Sequence, residues 1–161
     1  MTYAPKPRGD HVPLALVADD DEATRKLLAS CLEALGCRVL SAGDGVEVIE
    51  QLEALDAREL EHPFLVVTDL DMPRCNGLAV LELIRQRFLF ARVLIVTAFG
   101  DAGTRARARA LGVEAVVDKP FRLRDIGELA TRYLGLPPPA SVPRLRAAAN
   151  DTVPPTRRSG C

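Results

Sequence analysis

The chain has 161 residues, of which 48% are hydrophobic and 27% are charged, and its formal net charge is -1. This length favours one domain with loose ends, and the near-neutral charge gives no bulk electrostatic reason to expect nucleic acid or an anionic membrane as a partner. No apolar run approaches the roughly 20 residues of a membrane-spanning helix, and the first residues lack a signal peptide's apolar core, so we expect a cytoplasmic protein.

The first predicted elements are one strand and one helix. Residues 1–13 are polar and contain three prolines, which indicates a flexible N-terminal lead-in. The run LALVA, residues 14–18, is short and wholly apolar, as expected for a strand buried on both faces. Apolar residues at helical spacing follow from Asp21 onward, and Gly36 is a typical helix stop. We expect Asp21 to cap this helix.

The same alternation of strand and helix continues along the chain. Five βα units predict a parallel sheet with helices on both faces, because parallel neighbours need crossover connections and these are right-handed. The interval between Gly45 and Phe64 exceeds a minimal helix and loop, so we expect an extended second helix ending near Leu60. The later predicted strands are residues 37–42, 64–67, 92–96 and 115–117, and the last helices begin near residues 78, 101 and 122.

The composition changes after Gly135. Residues 136–161 contain six prolines and almost no large apolar side chains. Such a segment cannot bury enough apolar surface to offset the entropy lost on ordering, so we predict a disordered tail. The predicted domain therefore spans residues 14–135, and we recognise no helix-turn-helix or other second module.

Polar residues follow four of the five predicted strands. Ligands of open α/β sheets bind outside the carboxyl ends of the strands, so these residues are expected to converge there. Clustered carboxylates repel one another and need a cation, and an all-oxygen site favours Mg²⁺. A hydroxyl and an ammonium on the other side suit a phosphoryl group, which suggests an acyl phosphate on an aspartate. The residues are Asp19, Asp20, Asp69, Asp71, Thr97 and Lys119.

Four segments in this order resemble the receiver domain of two-component response regulators: LALVADDDEATRKLL, VVTDLDMPRCNG, VLIVTAF and VVDKPF. The resemblance covers residues 14–134 and implies a flavodoxin-like, doubly wound (βα)5 fold, a three-layer sandwich with strand order 2-1-3-4-5. It also implies a stand-alone bacterial signalling protein that takes a phosphoryl group from a histidine kinase or histidine phosphotransfer protein. Such a protein catalyses only its own phosphorylation and dephosphorylation, and we expect its output to be contact with an unknown downstream protein.

The resemblance assigns the phosphoacceptor and the metal ligands. Asp69 is expected to be the phosphorylated residue and, with Asp19 and Asp20, to bind Mg²⁺. Of the acidic pair, Asp20 is favoured as the direct ligand. Asp71 is expected to contribute its backbone carbonyl to the same metal.

The resemblance also assigns residues that bind the phosphoryl group and respond to it. Thr97 is expected to bind a phosphoryl oxygen and to change position on activation. Lys119 is expected to pair with the phosphoryl group, and the peptide bond between Lys119 and Pro120 is expected to be cis. Many receivers carry an aromatic switch residue three positions before the lysine, but here Val116 has no ring. The hypothesis is that Thr97 still moves and that the change at the output surface is smaller or is carried by another residue, such as Phe99.

Three alternatives remain at this point. Haloacid-dehalogenase-type phosphatases also place a DxD motif at a strand end, before a threonine or serine and a lysine. Their acidic pair follows the lysine, whereas Asp19 and Asp20 precede Asp69 here, so chain order argues against that class. A receiver-type interaction module that is never phosphorylated is disfavoured by the complete set of site residues. A DNA-binding regulator is disfavoured because no recognition module is visible.

Overall fold

The computed structural model describes residues 11–98 and 100–137. Strands and helices alternate along the chain, as the sequence predicts. In chain order the elements are β1 (Leu14–Ala18), α1 (Glu22–Ala34), β2 (Arg38–Ala42), α2 (Gly45–Glu53), α3 (Ala57–Leu60), β3 (Phe64–Thr68), β4 (Asp71–Met72), β5 (Cys75–Asn76), α4 (Gly77–Arg87), β6 (Ala91–Thr97), α5 (Ala102–Ala110), β7 (Ala115–Asp118) and α6 (Leu123–Leu134).

Five strands form one parallel sheet in the order β2-β1-β3-β6-β7. Counting only the strands of this sheet, the order is 2-1-3-4-5, which confirms the prediction. Every residue of β1 and β3 is buried, as expected for central strands covered on both faces.

The two faces of the sheet build two separate cores, because alternate residues of a strand point to opposite sides. Leu14, Leu16 and Ala18 pack with side chains of α2, α4 and α5. Ala15 and Val17 pack with side chains of α1 and α6. The fold is therefore a sandwich of helices, sheet and helices, and the carboxyl ends of all five strands meet at one edge.

The first helix begins and ends where the sequence predicts. Asp21 is its N-cap, and its carboxylate accepts a hydrogen bond from the backbone N–H of Thr24 at 2.8 Å, which confirms the predicted cap. After Leu35 the chain turns at Gly36, whose φ of 87° lies in the left-handed region that glycine adopts without strain.

The prediction of one extended second helix is wrong. The chain forms α2 and then a separate single turn, α3. Asp56 starts α3 through a capping box, in which its carboxylate accepts from the N–H of Glu59 and the Glu59 carboxylate accepts from the N–H of Asp56. This local bonding competes with continuation of the preceding helix, and the chain is therefore interrupted after Glu53.

A small hairpin between β3 and α4 was not predicted. In it β4 and β5 pair antiparallel around a turn in which Arg74 has a φ of 66°. The Arg74 guanidinium donates to the carboxylate of Asp44, and Asp44 is also the N-cap of α2. The hairpin is thereby fastened to the neighbouring helix beside the carboxyl edge of the sheet.

Two predicted segments fall largely outside the described residues. Most of the N-terminal lead-in (1–13) and of the tail (136–161) lies there, so these domain boundaries remain predictions. Among the helices of residues 11–98 and 100–137, none combines the length and the apolar character needed to cross a membrane.

Candidate functional site

Two buried aspartates lie side by side at the carboxyl edge of the sheet. Asp19 directly follows β1 and Asp69 directly follows β3, and these two strands are neighbours. The backbone N–H of Asp69 donates to the carbonyl of Ala18 at 3.0 Å, which continues the ladder to the strand ends. Asp19 is 1% exposed and Asp69 is 6% exposed. Parallel pairing thus brings together two carboxylates that are fifty positions apart.

Lys119, which follows β7, neutralises part of this charge. Its Nζ donates to Asp19 Oδ2 at 2.6 Å and to Asp69 Oδ2 at 2.8 Å. Burial by itself lowers the pKa of the Lys119 ammonium, but the hydrogen bonds and charges of the two aspartates outweigh burial and raise the pKa above its ordinary value. The ammonium is therefore charged at neutral pH.

Backbone amides hold the second oxygen of each buried aspartate. Asp19 Oδ1 accepts from the N–H of Asp21 at 2.9 Å, and Asp69 Oδ1 accepts from the N–H of Asp71 at 2.9 Å. Each carboxylate is thus oriented from both ends, by Lys119 at one oxygen and by its own chain at the other. Such fixed orientation is what a nucleophile or a metal ligand needs.

The acidic cluster suits a hard cation. Asp19, Asp20 and Asp69 each present an oxygen, and these oxygens lie within 4.8 Å of one another. Three carboxylates stand against the single ammonium of Lys119, so the cluster carries excess negative charge. Oxygen-only donors with an exposed member, Asp20, match the preference of Mg²⁺, which retains several waters.

The predicted role of Asp71 concerns its backbone, and its side chain lies apart from the cluster. The Asp71 carboxylate is exposed and lines an open cleft of about 680 Å³ between the β4–β5 hairpin and the start of α5. Its amide is bonded to Asp69, so its backbone is held next to that carboxylate.

The remaining predicted residues lie on β6 and β7. Thr97 ends β6 and is fully buried, and its carbonyl accepts from the N–H of Lys119 at 2.9 Å. The peptide bond between Lys119 and Pro120 is cis. Val116 is partly buried against the core on the α4 and α5 side of the sheet. Phe99 lies outside the described residues.

Two residues that support the site were not anticipated. Arg25, on α1, donates from its guanidinium to the carbonyl of Asp19 at 2.6 Å. Gly77 packs directly on the backbone of Leu70, the residue between the two aspartates of the DLD motif. An arginine early in a helix is usually solvated, so the sequence offered no specific signal for Arg25.

Gly77 allows a close approach that a larger residue would prevent. A Cβ built at this position would lie 2.6 Å from both the Cα and the carbonyl oxygen of Leu70. Gly77→Ala should therefore displace the loop and lower the free energy of unfolding by about 2 kcal/mol, measured by urea denaturation. Gly43→Ala is the matched control, since the nearest atom to its Cβ would be a Glu47 carboxylate oxygen at 3.6 Å. Equal stability of the two variants would contradict the close packing.

A family model and several curated proteins match the chain. The model of the response regulator receiver domain matches residues 15–131. "Regulator of RpoS" of Escherichia coli K12 is 37% identical over 107 residues, covering 66% of this chain and 30% of that protein. "Polar-differentiation response regulator DivK" of Brucella ovis is 31% identical over 122 residues, covering 74% of this chain and 94% of that protein. The chain thus spans less than a third of the first relative and nearly all of the second.

Solved structures share the fold. A CheY-like receiver domain protein from Methanospirillum hungatei superimposes with a TM-score of 0.70 at 23% identity, covering 78% of this chain and 95% of that one. The chemotaxis response regulator CheY4 of Vibrio cholerae gives a TM-score of 0.66 at 21% identity, covering 77% and 100%. The dehalogenase-type phosphatase alternative finds no support in these comparisons.

Proposed function

The chain belongs to the response regulator receiver domain family, and from that premise we propose that Asp69 accepts a phosphoryl group. The observation that carries this proposal is the environment of the Asp69 carboxylate. This carboxylate is buried, and its Oδ2 accepts a hydrogen bond from the Lys119 ammonium at 2.8 Å. One of its oxygens lies within 4.8 Å of oxygens of Asp19 and Asp20. A carboxylate held in this way can attack an electrophilic phosphorus while charge on the phosphoryl oxygens is compensated nearby.

The reaction transfers a phosphoryl group from a phosphohistidine to Asp69. A carboxylate oxygen of Asp69 forms the new P–O bond, the P–N bond of the donor breaks, and the imidazole leaves with the bonding electron pair. Lys119 pairs with the phosphoryl oxygens, and the Thr97 hydroxyl, at the next strand end, binds one of them. Dephosphorylation returns the group to water, so the protein catalyses only changes in its own phosphorylation state.

Mg²⁺ is the proposed cofactor. Asp19, Asp20 and Asp69 would hold it through carboxylate oxygens, with the backbone carbonyl of Asp71 as a further ligand. When bound, Mg²⁺ supplies positive charge that neutralises the phosphoryl oxygens. The described carboxylates fit this role because the single ammonium of Lys119 leaves their charge uncompensated.

Proteins of this family are signalling domains, and the proposed partners follow from that. The donor is a histidine kinase or a histidine phosphotransfer protein in the cytoplasm, and the output is contact with a downstream protein. For this chain, phosphorylation is the event that changes its affinity for that protein.

Chemical phosphorylation tests the proposal directly. The protein is incubated with acetyl phosphate in the presence of Mg²⁺ or EDTA, and its intact mass is measured. We expect one phosphoryl group, acquired only with Mg²⁺, stable in acid and labile in alkali. Borohydride reduction of the acyl phosphate followed by peptide mapping should place it at Asp69. No metal-dependent gain in mass would overturn the proposal in favour of an interaction module that works without phosphorylation.

A further inference from the structure

Arg105 is a mostly buried arginine whose contacts are not explained by the proposed chemistry. It lies near the start of α5, and its side chain is only 23% exposed. Its Nε donates to the carbonyl of Gly100 at 2.9 Å, and its Nη2 donates to the carboxylate of Asp118. The contact with Gly100 ends on backbone, which distinguishes it from an ordinary surface ion pair, whereas the Asp118 side chain is 68% exposed.

The two residues that Arg105 joins lie next to the candidate site. Asp118 ends β7 and immediately precedes Lys119, and in the sheet it is the register partner of Thr97. Gly100 follows Thr97 by three positions. A Cβ built on Gly100 would lie 3.4 Å from Arg105 Nε and 3.6 Å from the Thr97 methyl carbon, so Gly100 is packed between the two side chains.

The helix that carries Arg105 has little apolar anchorage. Ala108 is its only buried residue, and burial of one alanine stabilises a helix position weakly. The start of α5 is attached chiefly by polar contacts among the described residues. Arg105 supplies one to the end of β7, whereas Arg107 makes a longer contact, 3.6 Å, with Glu82 of α4 and is 67% exposed.

We propose that Arg105 is a positioning residue for phosphoryl transfer: by joining Gly100 to Asp118 it reinforces the placement of Thr97 relative to Lys119, which the bond from the Lys119 N–H to the Thr97 carbonyl sets along the backbone. The inference rests on the proposed function, because the transfer is what needs the hydroxyl and the ammonium at a set distance. Arg105 touches neither the nucleophile nor the acidic cluster in the contacts described. Its effect is on placement, and loss of placement slows a reaction that depends on aligned groups.

The test compares three variants under acetyl phosphate and Mg²⁺. Arg105→Met keeps the aliphatic stem and removes the donors, and it should slow phosphoryl uptake about fivefold or more. Arg105→Lys keeps a cationic donor for Asp118 and should restore part of the rate. Arg107→Met, on the same helix, should stay within about twofold of wild type. Urea denaturation establishes that each variant is folded at the assay temperature.

Amide chemical shifts separate this inference from the proposed function. In Arg105→Met the backbone amide signals of Thr97 and Lys119 should move, while that of Asp20 should not. Unchanged Thr97 and Lys119 signals would overturn the positioning role, whatever the phosphorylation result. A wild-type protein that takes up no phosphoryl group would instead overturn the proposed function. If Arg105→Met does not fold, the amide shifts and the rates of phosphoryl uptake are measured in Arg105→Lys and Asp118→Asn instead. Wild-type shifts and rates in both of these variants would overturn the inference.

Discussion

Replacing Asp69 with asparagine is expected to abolish phosphoryl uptake. Asparagine has nearly the same shape, and its one carbonyl oxygen can still accept from the Asp71 amide, as Asp69 Oδ1 does, but its NH2 group cannot accept from Lys119 as Asp69 Oδ2 does. A neutral amide is a very poor nucleophile and a weaker metal ligand than a carboxylate, so the reacting atom and one ligand are lost together. Intact mass after treatment with acetyl phosphate and Mg²⁺ should equal that of the untreated variant.

Asp71→Asn is the matched control for this experiment. Asp71 lies two positions away in the same motif, but its side chain is exposed and faces the open cleft. The proposed metal contact comes from its backbone carbonyl, which the substitution retains. We therefore expect Asp71→Asn to gain one phosphoryl group as the wild type does. A phosphorylated Asp69→Asn protein, or an unreactive Asp71→Asn protein, would show that the two aspartates have been assigned the wrong roles.

Arg85→Met is expected to destabilise the protein more than Gly77→Ala does. Arg85, on α4, acts at the end of the sheet opposite the candidate site. Its guanidinium donates to the carboxylate of Glu114 at 3.1 Å and to three backbone carbonyls, those of Ala91 (2.7 Å), Leu111 (3.0 Å) and Gly112. One side chain thus connects α4 to the end of α5, to the start of β6 and to the segment leading into β7.

The cost arises chiefly from the groups that Arg85 leaves behind. The Glu114 side chain is 9% exposed and would keep Arg92 as its remaining cation, at 3.5 Å. The carbonyls at the end of α5 would lose a charged donor, and that helix buries only Ala108. Partial exposure of Arg85 itself, 22%, moderates the effect, so we expect a loss of about 3 kcal/mol in the free energy of unfolding.

Urea denaturation of Arg85→Met and Arg87→Met measures this difference. Arg87 is two residues further along α4 and also forms an ion pair, with Glu53, but both partners are about half exposed. Exposed pairs contribute little, so Arg87→Met should change the free energy of unfolding by less than about 1 kcal/mol. If the two variants were equally stable, the network around Arg85 would not be holding the end of α5.

Arg85 and Arg105 are complementary in position. They fasten the two ends of the same weakly buried helix, Arg85 far from the carboxyl edge of the sheet and Arg105 beside it. Loss of the distant contact should reduce stability, whereas loss of the near one should reduce the rate of phosphoryl uptake. The pair of experiments therefore separates anchorage of α5 from alignment of the site.

The elements that the sequence predicted well are those specified by local pattern. Continuous apolar runs such as residues 14–18 identify strands buried on both faces, whereas the edge strands β2 and β7 are only partly buried. Each of the five strands was found within one or two residues of its predicted bounds. The predicted cap at Asp21 was confirmed because its bond to Thr24 spans only three positions. The break between α2 and α3 was missed, since a capping box at Asp56 and a continuous helix are both compatible with that composition.

The sequence by itself determined the fold class and the edge of the sheet where a site could form. Alternating strands and helices require parallel pairing, and parallel pairing brings Asp19, Asp69 and Lys119 to one edge whatever the details of packing. Only the tertiary structure decided which distant groups stabilise that edge. The contacts of Arg25, Arg85 and Arg105 depend on where a long, flexible side chain finds a carbonyl or a carboxylate. The hydrophobic pattern of the sequence does not encode these contacts. A solvated arginine and an arginine that connects several helices and strands both occupy polar positions of a helix, and the pattern does not distinguish them.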